Sequence, residues 1–460
     1  MRVRFVHQAV LGMLLIYQFS VCLGKEAPDP NQSSKYLDAV RQFADNVLKY
    51  GRDTYGPKHT PLFVDGLNVN THEPVKWINP DGYKWVLSNF ASQQTLMRTL
   101  DGLSTITGDS KYKQAAMDAI KYAFENLRSP NGLLYWGHAA AYDAQADRVF
   151  SEDNWHSLKL TYPYYELMWE VDPNETERLI NAYWSAHIIN WSDLDMNRIA
   201  RITKSLKEPW NYEYGNGPTF FTSKSKSVGF FIPGTSLAHA GTMLCKLSHQ
   251  ELPLVWSERL IHRYVATRHL KTGISAWVYN YRIDLSEFSD HFTDPYTNFF
   301  PLDSIQDAKN LYYVESTLAQ PWLSLFFVGD MLDEKGDKFT QWALDEFTAW
   351  GKSAYRKEDN SFIPMLTDGT SLEGYVFKQD DLYGLRDHIL KPLFADLSLF
   401  WAYAQAYRST GDEFMWEMAR NIALGNSFGD IGRSSRDVSK LQADIVCSDV
   451  YGLLGFLALR

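Results

Sequence analysis

The sequence predicts an all-α protein, an (α/α)6 toroid of helical hairpins with long loops on one rim. Three observations lead there. Five stretches repeat one grammar: an apolar helix, a short break, then an amphipathic helix. The breaks inside these pairs are short, whereas the connections between pairs are long. Two helices at the chain ends are left over, one amphipathic and one apolar, and since chain ends often lie close together they make a sixth pair. Six units without a polar cap favour closure over an open solenoid.

In chain order, the first helix is "SSKYLDAVRQFADNVLKYGRD" (33–53), whose apolar residues recur at helical spacing and place it in the outer layer. The hairpins follow as "TLMRTLDGLSTITGDSKYKQAAMDAIKYAF", "YPYYELMWEVDPNETERLINAYWSAHI", "LAHAGTMLCKLSHQELPLVWSERLIHRYV", "AQPWLSLFFVGDMLDEKGDKFTQWALDEFTAW" and "ADLSLFWAYAQAYRSTGDEFMWEMARNIAL". In each, the first helix is apolar nearly all round and belongs inside. The second has one apolar stripe and belongs outside. Gly108-Asp109, Asp172-Pro173 and Gly411-Asp412 carry the chemistry that stops one helix and caps the next. The last helix lies within "DVSKLQADIVCSDVYGLLGFLALR" (437–460) and is apolar enough for the inner layer.

The connections cover roughly 54–87, 128–158, 190–234, 270–312 and 357–389, and three begin alike, with "SPNGLLYWGH", "KTGISAWVYN" and "EDNSFIPMLT". Alternation of inner and outer helices sends all of them to one rim. Long ordered loops on a rigid scaffold are where function concentrates.

Bulk composition narrows the class. With 45% hydrophobic and 22% charged residues in 460, the chain can bury a large core. Aromatics at 15% either fill wide helical cores or stack on the apolar faces of sugar rings. Arg2 and Arg4 precede "AVLGMLLIY", a run too short to span a bilayer, and "VCLG" offers a cleavage site after Gly24. A lipoprotein cysteine at Cys22 is the weaker reading, because Phe19 is a poor match upstream. Residues 1–24 are therefore expected to be a signal peptide, 25–34 a short flexible linker and 35–460 one toroidal catalytic domain. The mature chain would be secreted or periplasmic, without a membrane anchor, and a monomer. Removing the signal takes away two arginines and no acid, moving the formal charge from −10 to −12. That balance argues against nucleic acid as a partner but leaves room for an acidic sugar in a locally basic cleft. Cys245 and Cys447 sit in apolar stretches and read as free buried thiols.

The loops are rich in Tyr, Trp, His and Arg, a mixture that fits β-elimination of a uronic-acid polysaccharide. The proton removed lies next to a carboxylate and is weakly acidic. A cation or hydrogen-bond donor must hold the enolate-like charge, and a base of suitable pKa must take the proton. His138 and Tyr142 are the candidates for base and acid, in either order. Asn197 and Arg198 would hold the carboxylate, with His156 assisting. Trp136, Trp210 and Trp277 would be sugar platforms, flanked by Tyr212, Tyr214 and Tyr279. Each has a plainer alternative: His138 and His156 as caps, Arg198 as an ion pair with Asp195, and the basic series 198–207 as a solvated face. His187 and His262, on outer helices, read as structural. No metal-ligand motif is present. A Ca²⁺ ion is a possible cofactor, held by Asp143, Asp147 and Asp153 or by Asp193 and Asp195, though neither group has EF-hand spacing.

The stretches "TPLFVDGLNVNTHEPVKW" (60–77), "NFASQQTLMRTLDGLSTITGD" (89–109), "YYELMWEVDP" (164–173) and "LDMNRIA" (194–200) resemble a family of secreted bacterial pectate-lyase-like proteins. The resemblance covers about 35–460 and implies a six-hairpin toroid and a lyase acting on an acidic polysaccharide or oligosaccharide. In that family the residues after "LDMNR" are often His-Gly. Here they are Ile199-Ala200, a departure that bears on whether activity is kept. The "GGWPKN"-type motif of toroidal pectate lyases is missing too.

Three other readings compete. A glycoside hydrolase on the same scaffold would need two carboxylates about 5–10 Å apart, with Asp143 and either Glu213 or Asp195 as candidates. A carbohydrate-binding protein without catalysis is the second. A sugar isomerase is the third, made less attractive by export. Only the site can choose among them.

Overall fold

The structure is a computed structural model that describes residues 30–78, 82–137, 140–151, 154–158, 162–215, 231–275, 311–312, 316–376, 386–433 and 449–459. The chain divides into two compact units. One runs to His187 and includes Ile199–Pro209; the other comprises Ile188–Arg198 and the chain from Trp210 onward.

The first unit holds α1 (Pro30–Tyr50), α2 (Gln94–Thr107), α3 (Lys111–Asn126), α4 (Tyr165–Val171) and α5 (Pro173–His187). The expected hairpins α2/α3 and α4/α5 are both present. Along α2 nearly every residue from Gln94 to Ser104 is buried, whereas α3 buries one stripe, Tyr112, Ala115, Ala116, Ala119, Ile120, Ala123 and Phe124. The periodicity of the sequence thus translates directly into inner and outer helices. Gly108 closes α2 in the left-handed region at φ 73°, where a Cβ would cost energy. Pro173 starts α5, and the Asp172 carboxylate accepts the Glu175 amide at 3.0 Å, capping the helix.

Three boundaries differ from expectation. Helix α1 begins at Pro30, so residues 30–34 are helical rather than linker, and it stops at Tyr50. Beyond it Arg52–Asp53 pairs as a strand with Thr60–Phe63. The buried Asp53 carboxylate accepts the Thr60 hydroxyl at 2.7 Å. Helix α4 starts at Tyr165, not near Tyr162. Tyr162 has φ 35°, and its carbonyl and that of Pro163 are taken by the Arg98 guanidinium at 2.7 and 3.2 Å.

The second unit holds α6 (Phe231–Ser248), α7 (Glu251–Val265), α8 (Ser316–Leu332), α9 (Asp337–Ser353), α10 (Leu397–Thr410), α11 (Glu413–Gly425) and α12 (Val450–Leu459). These are the third, fourth and fifth hairpins and the terminal apolar helix. In α10 every residue from Ser398 to Ala406 is buried. It packs against α12 so closely that a Cβ on Gly455 would lie 2.4 Å from the Phe400 ring. Asp412 caps α11 by accepting the Phe414 amide at 2.8 Å. Cys245 is free and buried; Cys447 lies outside the described residues.

The connections carry short antiparallel strand pairs. Leu87–Ser88, Ala140–Asp143 and Arg148–Ser151 form a three-stranded sheet; Trp155–Ser157 pairs with Ile199–Arg201, and Ile188–Asn190 with Asp195–Met196. The three look-alike loop starts share a turn. Gly132, Gly273 and Asn360 all take left-handed φ, at 94°, 77° and 59°. Gly and Asn are the residues that enter this region most readily.

Candidate functional site

In the first unit the residues singled out from sequence fall into two buried clusters. The chain leaves the Gly132 turn and runs inward, so that Trp136 is fully buried, with Phe90 and Tyr183 stacked at 5.6 and 5.9 Å. It is core, not the sugar platform expected. Its indole N–H donates to His156 Nε2 at 3.2 Å, and His156 Nδ1 meets His187 Nε2 at 2.9 Å. His156 sits at the centre of the strand Trp155–Ser157, opposite Ala200. Burial first, and the neighbouring His187 second, push its pKa well below the ordinary value of 6.5, so it is a neutral imidazole. Gly137 follows at φ 110°, with its amide and carbonyl both bonded to the Asn89 side-chain amide, at 3.1 and 2.5 Å. A Cβ there would lie 2.8 Å from the Ser157 carbonyl oxygen. Only glycine allows this approach, which fixes the backbone immediately before His138. His138 itself lies outside the described residues.

Tyr142 belongs to the second cluster. It is buried, its hydroxyl donates to Asp147 at 3.4 Å, and its ring meets Tyr122 edge-on at 6.4 Å. Burial, reinforced by Tyr122, raises its pKa far above the ordinary phenol value. A phenol so placed keeps its proton and is a poor base. Asp147 in turn accepts the Lys58 amide at 2.9 Å, so the cluster ties the 56–58 loop to the sheet.

In the second unit the segment Ile188–Arg198 makes a tight hairpin. Asp193 shapes it by accepting from the Asp195 amide at 3.0 Å and the Asn190 side chain at 2.9 Å. Asn197 and Arg198 come directly after its second strand; Asn197 is half-buried and Arg198 exposed. Trp210 is buried at φ 74°, its carbonyl accepting the Trp256 indole N–H at 2.8 Å. Trp191 meets Trp210 and Trp256 edge-on and stacks on Tyr212 at 4.8 Å. Trp210 is therefore a packing residue too, while Tyr212 and Tyr214 remain half-buried. Trp277 and Tyr279 lie outside the described residues. Arg268, at the root of their loop, is held by Glu346 and Asp345, both at 3.2 Å.

Of the acids considered for metal or hydrolysis, Asp143, Asp147 and Asp193 accept local hydrogen bonds. Asp143 is buried and accepts the amides of Gln145 and Ala146 at 3.1 and 3.3 Å. Asp147 and Asp193 are engaged as described above, and Asp153 is outside the described residues. Among the described residues, no group of three or more His, Cys, Asp or Glu is arranged to hold a metal ion. The described carboxylates do not fit a calcium cage, which needs several converging oxygens. Asp143 lacks the open face that a sugar carboxylate catalyst requires.

One residue of these clusters, Asn89, escaped the sequence reading, and another, His187, is structural as read. Asn89 clamps Gly137, and nothing local marks it. His187, read as structural on an outer helix, is fully buried at the last position of α5.

Comparison with known proteins supplies the family. Residues 60–460 match the periplasmic pectate lyase family. A pectate disaccharide-lyase of Dickeya dadantii (strain 3937) is 27% identical over 383 residues, covering 78% of this chain and 69% of that protein. Among solved structures, a D-mannose isomerase superposes with a TM-score of 0.51 at 13% identity, covering 94% of this chain and 99% of that one. A cellobiose 2-epimerase from Bacillus thermoamylovorans B4167 gives 0.47 at 10% identity, covering 86% and 88%. The fold is the (α/α)6 toroid expected from the hairpin repeat. The likeness to the isomerase carries the fold and not its reaction. With its match spanning residues 60–460, this chain belongs to the periplasmic pectate lyase family and is a polysaccharide lyase.

Proposed function

We propose that this lyase is exported to the periplasm and shortens pectate, or a closely related polyuronate, by β-elimination. Family membership over residues 60–460 is the observation that carries the reading. Export is supported by the basic and apolar pattern of residues 1–24. No helix among the described residues is long and apolar enough to cross a membrane.

Arg198, exposed at the end of its hairpin, engages the uronate carboxylate with Asn197 beside it. Their charge and hydrogen bonds stabilise the electron density that develops when the α-proton leaves. His138 takes the C5 proton. The electron pair forms the C4–C5 double bond, the C4–O bond breaks, and the departing oxygen takes the proton back from the His138 imidazolium. Tyr142 and His156, buried and committed to internal hydrogen bonds, take no part in the proton transfers.

The test follows absorbance of the unsaturated uronate on polygalacturonate, rhamnogalacturonan, alginate and glycosaminoglycans. A rise on polygalacturonate supports the reading. Reducing ends without absorbance would make the enzyme a hydrolase and overturn it. Arg198→Ala should lower kcat by about 10²–10³-fold. Because Arg198 is exposed, its melting temperature should not move.

A further inference from the structure

We propose that the buried His156–His187 hydrogen bond is a clasp that closes the neck of the 188–198 segment, with His187 as the positioning residue for Arg198. This rests on the lyase reading for its catalytic consequence, though not for its geometry.

The chain leaves the first unit after His187 and returns to it at Ile199. His156 holds both ends of that excursion. Its ring bonds the His187 ring at 2.9 Å, and its backbone pairs with Ala200, one residue past the return point. The exit strand Ile188–Asn190 and the strand Asp195–Met196 then pair with each other. The segment carrying Asn197 and Arg198 is thus held at its neck by His156, through the imidazole pair at the exit and strand pairing at the return, while Trp191 anchors its middle in the Trp256 cluster.

The hydrogen-bond directions follow from chemistry. An indole N–H only donates, so His156 Nε2 accepts from Trp136 and carries no proton. The proton of neutral His156 is then on Nδ1, donated to His187 Nε2, which leaves the His187 proton on Nδ1. A proton added to His156 would set N–H against the Trp136 N–H. A proton added to His187 would set N–H against His156, and switching the His156 tautomer only moves the conflict to Trp136. The ionisable side chains facing His156 among the described residues are His187 and Tyr183, the latter with its ring 5.2 Å away and its phenol kept protonated by burial. Neither offers a negative charge to stabilise an imidazolium. The clasp therefore requires a neutral His156, and protonating that ring in acid opens it.

The experiment compares wild type, His187→Leu and His187→Gln by hydrogen exchange of peptides within 188–201 and by steady-state kinetics on polygalacturonate. In wild type, acidification from pH 8 to pH 5 should raise exchange in this region relative to peptides from α10, after correction for intrinsic rates. His187→Leu should exchange fast already at pH 8 and lose about tenfold in kcat with KM changed less than twofold. His187→Gln, whose amide oxygen can accept the Nδ1 proton, should restore slow exchange and most of kcat. Leu behaving as wild type would overturn the clasp, as would a Gln variant that folds but is impaired as badly as Leu. If wild type fails to cleave polyuronates, the substrate reading falls, while the exchange results still decide the clasp.

Discussion

The His156 and Trp256 neighbourhoods are both buried and aromatic, yet they are organised on different principles. Around His156 the rings are ordered by hydrogen bonds: indole to imidazole, then imidazole to imidazole. Around Trp256, Trp191 and Trp210 pack edges against faces, and the hydrogen bond from Trp256 to the Trp210 carbonyl anchors the strained backbone at φ 74°. The first arrangement depends on protonation and on atom identity. The second depends on volume and would tolerate pH. An excess of Trp and Tyr is thus no single signal: here Trp136 and Trp210, both expected to face a sugar, serve the interior.

Two tests separate these regions and a third probes the Tyr142 cluster beside them in sequence, beginning with the largest effect. Trp256→Ala should cost about 3–5 kcal/mol of stability, because a fully buried indole leaves a cavity that its rigid neighbours cannot fill; urea denaturation measures this. A cost below about 1 kcal/mol would mean the cluster is looser than its ring geometry implies. Next, the His156 region should weaken in acid while the Trp256 cluster does not. The folded pKa of His156 lies below 6.5, so below that pH the unfolded chain binds a proton that the folded chain refuses. Its contribution is complete above 6.5 and is lost as pH falls toward the lowered folded value. Amide exchange in the two regions from pH 8 to pH 5 reads the contrast, and equal pH dependence would erase it. The smallest effect is Tyr142→Phe, expected to cost about 1 kcal/mol for one hydrogen bond to Asp147 and to leave kcat within twofold. A hundredfold loss of kcat would return Tyr142 to the chemistry.

Much of the scaffold was legible in the sequence. The breaks at Gly108-Asp109, Asp172-Pro173 and Gly411-Asp412 lie where the helices turn, since left-handed glycines and capping carboxylates act within a few residues. Errors fell where a distant partner overrides local preference. The end of α1 yields to the Thr60–Phe63 strand, and the start of α4 yields to Arg98, which captures two carbonyls 64 and 65 residues away. The site was less legible. Asn197 and Arg198, a polar and a charged residue after a hairpin strand, are candidates in the sequence and stay a proposal, whereas Tyr142, His156 and Trp136 look the same in sequence whether they face a sugar or a core.

The sequence by itself determined the number and order of the hairpins, their inner and outer faces and the family, because periodicity, caps and motifs are local properties of the chain. Only the tertiary structure decided that His156 meets His187 across 31 residues and Trp136 across 20. Burial and hydrogen-bond partners depend on which distant segments the fold brings together, and it is burial that turns an ordinary histidine into a neutral one.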